Sequence, residues 1–269
     1  MSEIDKVFTG SIPEIYDAYL VPLIFEQYAD DLANRAAVLG PGDVLEIATG
    51  SGVVTRAAAA VLPEETRYVA TDLNPPMLQR AAAVQTDPER VEWVPADALD
   101  LPLEDRDFDA VLCQFGVMFF PNRVKAYREA RRVLRPGGSL IFSMWDRIEE
   151  NEFAAVVTES LAQTFPDDPP RFLARTPHGH YDRKVFEREL EAAGFEQVSI
   201  EPVEAVSRAS QAAIPAVAYC QGTPLRNEIE ALGNPSLEEA TEQATRAIAD
   251  RFGSGEVEGR IRAFIITAR

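Results

Sequence analysis

Only two cysteines and two histidines occur in this chain of 269 residues. Cys113 and Cys220 stand far apart and form no disulfide framework, redox pair or metal-ligand spacing. Cys113 falls in an apolar run and reads as a small buried residue. His178 and His180, without a third histidine or a thiolate beside them, do not make a zinc site. The acidic run Glu187 to Glu191 reads as the solvated face of a helix, so no metal is expected. Basic residues are also scarce, 26 against 44 acidic ones, leaving a formal charge of −18. Such a surface repels phosphate backbones and argues against a nucleic-acid partner. The densest basic cluster, Arg128, Arg131, Arg132 and Arg135, reads as the outer face of an amphipathic helix whose other face carries Val124, Tyr127, Val133 and Leu134. No apolar run approaches the roughly 18 residues that span a bilayer. The opening Met-Ser-Glu-Ile-Asp has no signal-peptide character. A cytoplasmic protein without stable membrane insertion is expected.

Hydrophobic residues at 46% and charged residues at 26% are ordinary for a globular chain. The length suits one large α/β domain with an appended lid. Residues 1–40 are expected to form an N-terminal helical lid, with helices over Ile12 to Tyr19 and Leu20 to Leu39 and with Pro13 and Pro22 near helix starts. Tyr16, Tyr19, Phe25 and Tyr28 make it aromatic, suited to packing or to covering a ligand. From residue 43 the pattern alternates. Strands are expected at Val44 to Ile47, Arg67 to Thr71, Val91 to Pro95, Phe108 to Gln114 and Ser139 to Trp145. Helices are expected at Val53 to Leu62, Pro75 to Val84 and Arg123 to Leu134, the last stopped by Pro136-Gly137-Gly138. This is the pattern of a parallel sheet covered on both faces, with ligands at the carboxyl ends of its strands. Beyond Trp145, helices are expected at Glu150 to Thr164 and Asp182 to Ala193, the latter capped by Gly194. Pro166 to Gly179 reads as a loop, and strands as Phe195 to Glu204 and Ile261 to Ala268. About fifty residues separate those two strands, which suggests a helical cap insertion over 205–258. The whole, 1–269, reads as a single domain.

The segment Asp43-Val44-Leu45-Glu46-Ile47-Ala48-Thr49-Gly50-Ser51-Gly52-Val53-Val54-Thr55 is a strand, a glycine turn and a helix start. Such a turn presents backbone N–H groups to a ligand. A dinucleotide site wants G-x-G-x-x-G, but Thr55 fills the third place, and no Gly-Lys-Ser/Thr of a phosphate loop is present. The turn thus lacks the features that cradle a pyrophosphate.

The pattern resembles motif I of the class I S-adenosylmethionine-dependent methyltransferases, an acid followed by x-G-x-G-x-G, matched here from Glu46 to Gly52 with Ala48 at the first glycine. Ala70-Thr71-Asp72-Leu73-Asn74-Pro75-Pro76-Met77-Leu78 resembles the second motif, with Asp72 ending its strand. Val94-Pro95-Ala96-Asp97-Ala98 resembles the third. Leu101-Pro102, Phe108-Asp109 and Leu134-Arg135-Pro136-Gly137-Gly138 continue the series, so the likeness covers about residues 40–145, and Leu190 to Phe195 more loosely. It is nearest to the small-molecule branch that includes the ubiquinone and menaquinone methyltransferases.

The resemblance implies a Rossmann-like, doubly wound, seven-stranded sheet in the order 3-2-1-4-5-7-6, strand 7 antiparallel. It implies S-adenosylmethionine as cofactor and S-adenosylhomocysteine as product. The implied binding residues are Glu46, Ala48, Thr49, Gly50, Gly52, Asp72, Leu73, Met77, Asp97, Ala98, Gln114 and Phe115, with Asp72 on the ribose hydroxyls, Met77 near the adenine and Asp97 beside its amino group. Taken singly, each acid has an alternative role as a cap or a solvated turn residue. Gln114-Phe115-Gly116-Val117-Met118-Phe119-Phe120 occupies the fourth motif and lacks the Asn/Asp-Pro-Pro-Tyr/Phe of DNA amino-methyltransferases. Its apolar character suits a small aromatic or lipid-like acceptor methylated on O, N or C. Methyl transfer needs alignment and exclusion of water, and a base only when the acceptor must lose a proton. His178, His180 and Tyr16 are the candidates for that base, with a polar-loop or helix-cap role as the alternative for each histidine. The rival functions are a methyltransferase-like protein without catalysis and a nicotinamide-dependent oxidoreductase, and a homodimer is among the compatible assemblies.

Overall fold

A computed structural model describes residues 11–269. Residues 1–10 of the expected lid lie outside the described part. Seven strands, β1 (Asp43–Ile47), β2 (Arg67–Asp72), β3 (Val91–Pro95), β4 (Phe108–Gln114), β5 (Leu134–Trp145), β6 (Val198–Ala209) and β7 (Val257–Ala268), form one sheet in the order β3-β2-β1-β4-β5-β7-β6. Strand β7 is antiparallel, and the sheet is flanked by helices in a Rossmann-like fold. By density of contacts the chain divides into two compact units.

The first unit comprises residues 26–144, 182–202 and 264–269. Its central strands are apolar on both faces: Val44, Leu45, Val69, Ala70, Val111 and Leu112 are all buried. Helix α3 (Val53–Val61) starts at the glycine turn, and α4 (Pro75–Val84) starts with proline, whose missing N–H costs nothing at a helix start. Helix α2 (Glu26–Leu39) buries Tyr28, Leu32 and Ala36 and packs against α3 and β4. Parallel register brings the carboxyl ends of the strands together, Ile47 opposite Thr71 and Asp72 opposite Pro95.

Two local expectations are corrected here. Pro136-Gly137-Gly138 does not precede the fifth strand but lies within it: β5 begins at Leu134 opposite Phe108 and resumes pairing at Ser139 opposite Ala110. The extra residues form a bulge, which Gly137 at φ 84° and the tight approach of Gly138 to the Asp109 carbonyl make possible. The arginines of α5 (Arg123–Val133) are not merely solvated. Arg132 spans Glu129, Asp105 and the carbonyls of Leu101 and Leu103. Arg123 pairs with Glu189 on α8 (Arg183–Ala193), and Arg128 donates to the Ala192 carbonyl. Gly194, at φ 95°, caps α8.

The second unit comprises residues 11–25, 145–181 and 203–263. A short helix α1 (Ile12–Ile15) runs on into a more widely wound stretch, Tyr16–Phe25, with Pro22 inside it. Pro22 was expected at a helix start. The wider winding tolerates it because the ring clashes with the i−4 carbonyl of an ordinary α-turn and offers no N–H to it. Helices α6 (Glu152–Thr164) and α7 (Phe172–Arg175) follow β5, the latter lying in the stretch read as loop. The insertion between the last two strands holds α9 (Ala213–Gln221), α10 (Leu225–Leu232) and α11 (Leu237–Phe252). Its helices run from 213 to 252 because β6 continues to Ala209 and β7 starts at Val257, each longer than read from the sequence. Ser236 and Glu239 close a reciprocal capping box at the start of α11.

Candidate functional site

The turn after β1 has an uncommon backbone. Ala48, Gly50 and Gly52 all take positive φ, at 55°, 59° and 80°. The two glycines are demanded for different reasons. A Cβ on Gly50 would have open space, its nearest neighbour the Met77 methyl at 3.9 Å, so its left-handed φ is what requires glycine. A Cβ on Gly52 would lie 2.9 Å from Ala81 Cβ, so Gly52 also admits α4 against the turn. Ala48 carries a methyl where motif I has glycine. The room for it is supplied by Gly116, where a Cβ would lie 2.5 Å from Ala48 Cβ.

The Gly50 N–H donates to Asp72 Oδ2 at 2.8 Å, and Asp72 Oδ1 accepts from the Asn74 N–H at 2.8 Å. Asp72 is 7% exposed, and burial raises its pKa against these hydrogen bonds. Oδ1 also takes the Asn74 side-chain amide at 3.4 Å, while Oδ2 keeps lone-pair capacity beside the Gly50 N–H. Leu73, beside it, is 58% exposed. Met77 is buried at the first turn of α4. The Ala96 N–H donates to the Asp72 carbonyl at 3.0 Å, which ties the end of β3 to β2. Asp97 is exposed, its carboxylate accepting the Leu99 N–H at 2.9 Å, while Ala98 is buried. Gln114 ends β4, and Phe115 follows at φ 51° with its N–H shared between Ser143 O and Oγ. The Phe115 ring meets Tyr28 edge-on.

Glu46 points into the interior and is 1% exposed. Its Oε2 accepts from Thr55 Oγ1 at 2.6 Å and Tyr68 OH at 2.8 Å. Burial pushes its pKa up to about 7 despite both donors. Sequence reasoning treated Thr55 only as a missing third glycine and did not reach Tyr68. The available signal was a buried motif acid that must find donors nearby. The side-chain hydroxyls of Thr49 and Ser51 are buried without a hydrogen-bond partner.

The first unit therefore gathers Glu46, Ala48, Thr49, Gly50, Gly52, Asp72, Leu73, Met77, Asp97, Ala98, Gln114 and Phe115 at the carboxyl ends of β1 to β4. Tyr16, His178 and His180 belong to the second unit. His178 is buried, its Nδ1 lies 2.8 Å from the Asp146 carbonyl and its ring packs on Trp145. A carbonyl accepts only, so Nδ1 carries the proton. Burial lowers the His178 pKa to about 4. Asp146, 2.6 Å from Arg262 Nε, anchors this corner. Tyr16 is half-buried against Phe25. Among the described residues, no group of three or more His, Cys, Asp or Glu could hold a metal ion.

Residues 45–142 match the family model described as a methyltransferase domain. A demethylmenaquinone methyltransferase of Mycobacterium sp. (strain KMS) is 34% identical over 170 residues, covering 60% of this chain and 70% of that protein. This chain belongs to the class I S-adenosylmethionine-dependent methyltransferases.

The ubiquinone/menaquinone biosynthesis C-methyltransferase UbiE of Hahella chejuensis (strain KCTC 2396) is 28% identical to this methyltransferase over 174 residues, 60% of this chain and 70% of that one. A solved phosphoethanolamine N-methyltransferase 2 of Haemonchus contortus, in complex with phosphomonomethylethanolamine and S-adenosylhomocysteine, aligns at TM-score 0.59 and 15% identity, covering 99% of this chain and 59% of that chain. At that identity the likeness is one of fold. The methyltransferase uses S-adenosylmethionine as cofactor and a small molecule as substrate. Neither rival function finds support among the relatives. No described helix is long and apolar enough to cross a membrane.

Proposed function

We propose that the turn Ala48 to Gly52, with Asp72, Leu73, Met77, Asp97, Ala98, Gln114 and Phe115, holds S-adenosylmethionine. The observation that carries this reading is Asp72, a buried carboxylate at a strand end, pinned by the Gly50 and Asn74 N–H groups and retaining acceptor capacity for ribose hydroxyls. The donor set fits the group. Exposed Leu73 and the Met77 side chain offer apolar surface for a purine, and the Thr49 and Ser51 hydroxyls have bonding capacity unspent. Arg56 donates to the Ser51 carbonyl of the turn at 2.7 Å, and the charged groups of the binding set itself are the Asp72 and Asp97 carboxylates, which suits a sulfonium. When bound, the cofactor supplies an electrophilic methyl group on an already activated leaving group. The residues of the chain bind, orient and exclude water, which are the contributions this chemistry needs.

The acceptor in this reading is a small apolar or aromatic molecule. Support comes from the stretch after β4, where Phe115, Val117 and Met118 are buried and Phe119 and Phe120 half-buried. The relatives named for quinone biosynthesis favour carbon over oxygen or nitrogen. The same reading takes 1–269 as a single methyltransferase domain that carries a helical insertion between its last two strands. The acidic surface and buried free cysteines fit a cytoplasmic enzyme without a nucleic-acid partner; homodimer formation is a separate proposal for light scattering to decide.

Incubation with methyl-labelled cofactor and a panel of hydroquinones, phenols, fatty acids and polar amines tests the reading. Mass spectrometry is expected to find the label on a ring carbon or oxygen of an aromatic acceptor. Label confined to the polar amines would contradict it.

A further inference from the structure

We propose that Thr55 and Tyr68 are positioning residues for cofactor binding, holding through Glu46 the turn that carries Gly50 to Asp72. The inference rests on the cofactor reading of that turn. Both hydroxyls converge on one oxygen, Glu46 Oε2, at 2.6 and 2.8 Å. Thr55 stands in the first turn of α3 and Tyr68 near the start of β2, so the buried carboxyl group joins three elements: β1, β2 and α3. A second tie runs alongside. The Glu46 carbonyl accepts from Thr71 Oγ1 at 2.9 Å, and the Thr71 carbonyl accepts the Thr49 N–H at 3.0 Å. Asp72 is the next residue in the chain, and it receives the Gly50 N–H.

This anchoring has a task. Ala48 sits at φ 55°, a conformation that an L-residue keeps only where its surroundings over-determine it. The turn lies between Glu46, two residues before Ala48, and Thr55 on the helix that follows. Tethering both flanks to one buried group restricts the turn to the shape that presents its N–H groups. Losing one hydroxyl leaves the carboxyl group under-satisfied in the interior and frees one flank. Among the described residues, the other charged groups acting on Glu46 are Asp72, which raises its pKa, and Arg56, which lowers it, and Glu46 in turn bears on Cys113.

Calorimetric titration with S-adenosylhomocysteine of the wild type, Thr55→Val, Thr55→Ser, Tyr68→Phe and Asp72→Ala separates the possibilities. Thr55→Val and Tyr68→Phe are expected to weaken binding about tenfold, the size of one lost hydrogen bond to an ionisable group. Thr55→Ser, which restores the donor, is expected within about twofold of wild type on the same basis. In turnover, Thr55→Val raises the KM for S-adenosylmethionine and leaves kcat at saturating cofactor nearly unchanged. Thr55→Val and Tyr68→Phe with wild-type affinity, beside a weakened Asp72→Ala, would overturn the positioning role and leave the cofactor site standing. Asp72→Ala with wild-type affinity would overturn the site reading and this inference with it. Should Thr55→Val fail to fold, Tyr68→Phe removes the other donor to the same oxygen and carries the test.

Discussion

Two buried ionisable residues pull the acid–base balance of folding in opposite directions. Glu46 in the fold titrates at about 7 against an ordinary 4.5, so the folded chain holds its proton more tightly than the unfolded chain. Stability therefore falls as pH rises from about 4.5 to about 7. His178 titrates at about 4 against an ordinary 6.5, so the unfolded chain binds the proton more tightly, and stability rises as pH goes from about 4 to about 6.5. The two slopes are of similar size and oppose each other, of order 3 kcal/mol each. Urea unfolding of Glu46→Gln should show a stability that gains on the wild type by that order as pH rises through the window. His178→Asn, which keeps a donor for the Asp146 carbonyl, should lose on the wild type over its own window. A pH-independent difference for either variant would mean that its burial does not shift its titration. The Asp72→Ala substitution belongs at this scale too: cofactor binding is expected to weaken at least tenfold, since a charged acceptor of paired hydrogen bonds is lost, and equilibrium dialysis would detect it. What the sequence disclosed about residues follows from this chemistry. The glycine turn at Gly50 and the strand-end place of Asp72 were legible because both lie in a local run of recognisable spacing. Thr55 was visible but misread, since a hydroxyl serving a residue nine positions away leaves no pattern in the run itself.

At the scale of elements, the turn after β1 owes its shape to helices and strands that touch it. Gly52→Ala would place a methyl 2.9 Å from Ala81 Cβ at φ 80°. The strain and the overpacking together should cost about 2–4 kcal/mol, to be measured by denaturant unfolding. Gly116→Ala would meet Ala48 Cβ at 2.5 Å and Cys113 Sγ at 2.8 Å. Pairing it with Ala48→Gly should recover at least about 1 kcal/mol of the loss. Strict additivity of the two changes would show that the methyl of Ala48 does not need the space at Gly116. That exchange of a methyl between two positions 68 residues apart was beyond the reach of a single sequence, because it depends on β1 and β4 being neighbours. The strands and helices of residues 43–133 were legible almost to the residue, their apolar runs and caps being local signals. Pro22 and the Pro136-Gly137-Gly138 bulge were misplaced because both are breakers that tertiary packing overrode.

For the whole molecule, the formal charge of −18 and the engagement of Arg123, Arg128 and Arg132 with carboxylates and carbonyls of the first unit leave little to attract a phosphate backbone. Mobility-shift experiments at 0.1 M salt should find no retention of duplex DNA or transfer RNA. Micromolar binding would place a nucleic acid among the partners. The family rests on the match over residues 45–142 and on relatives covered for about two thirds of their length, and with it come the cofactor and a small-molecule substrate. The central claim, that the turn after β1 and Asp72 hold S-adenosylmethionine, is tested most directly by a crystal structure with S-adenosylhomocysteine. The expected result puts the ribose hydroxyls within hydrogen-bond distance of the Asp72 carboxylate and the purine against Leu73 and Met77. A ligand bound elsewhere, or one whose ribose turns away from Asp72, would contradict it.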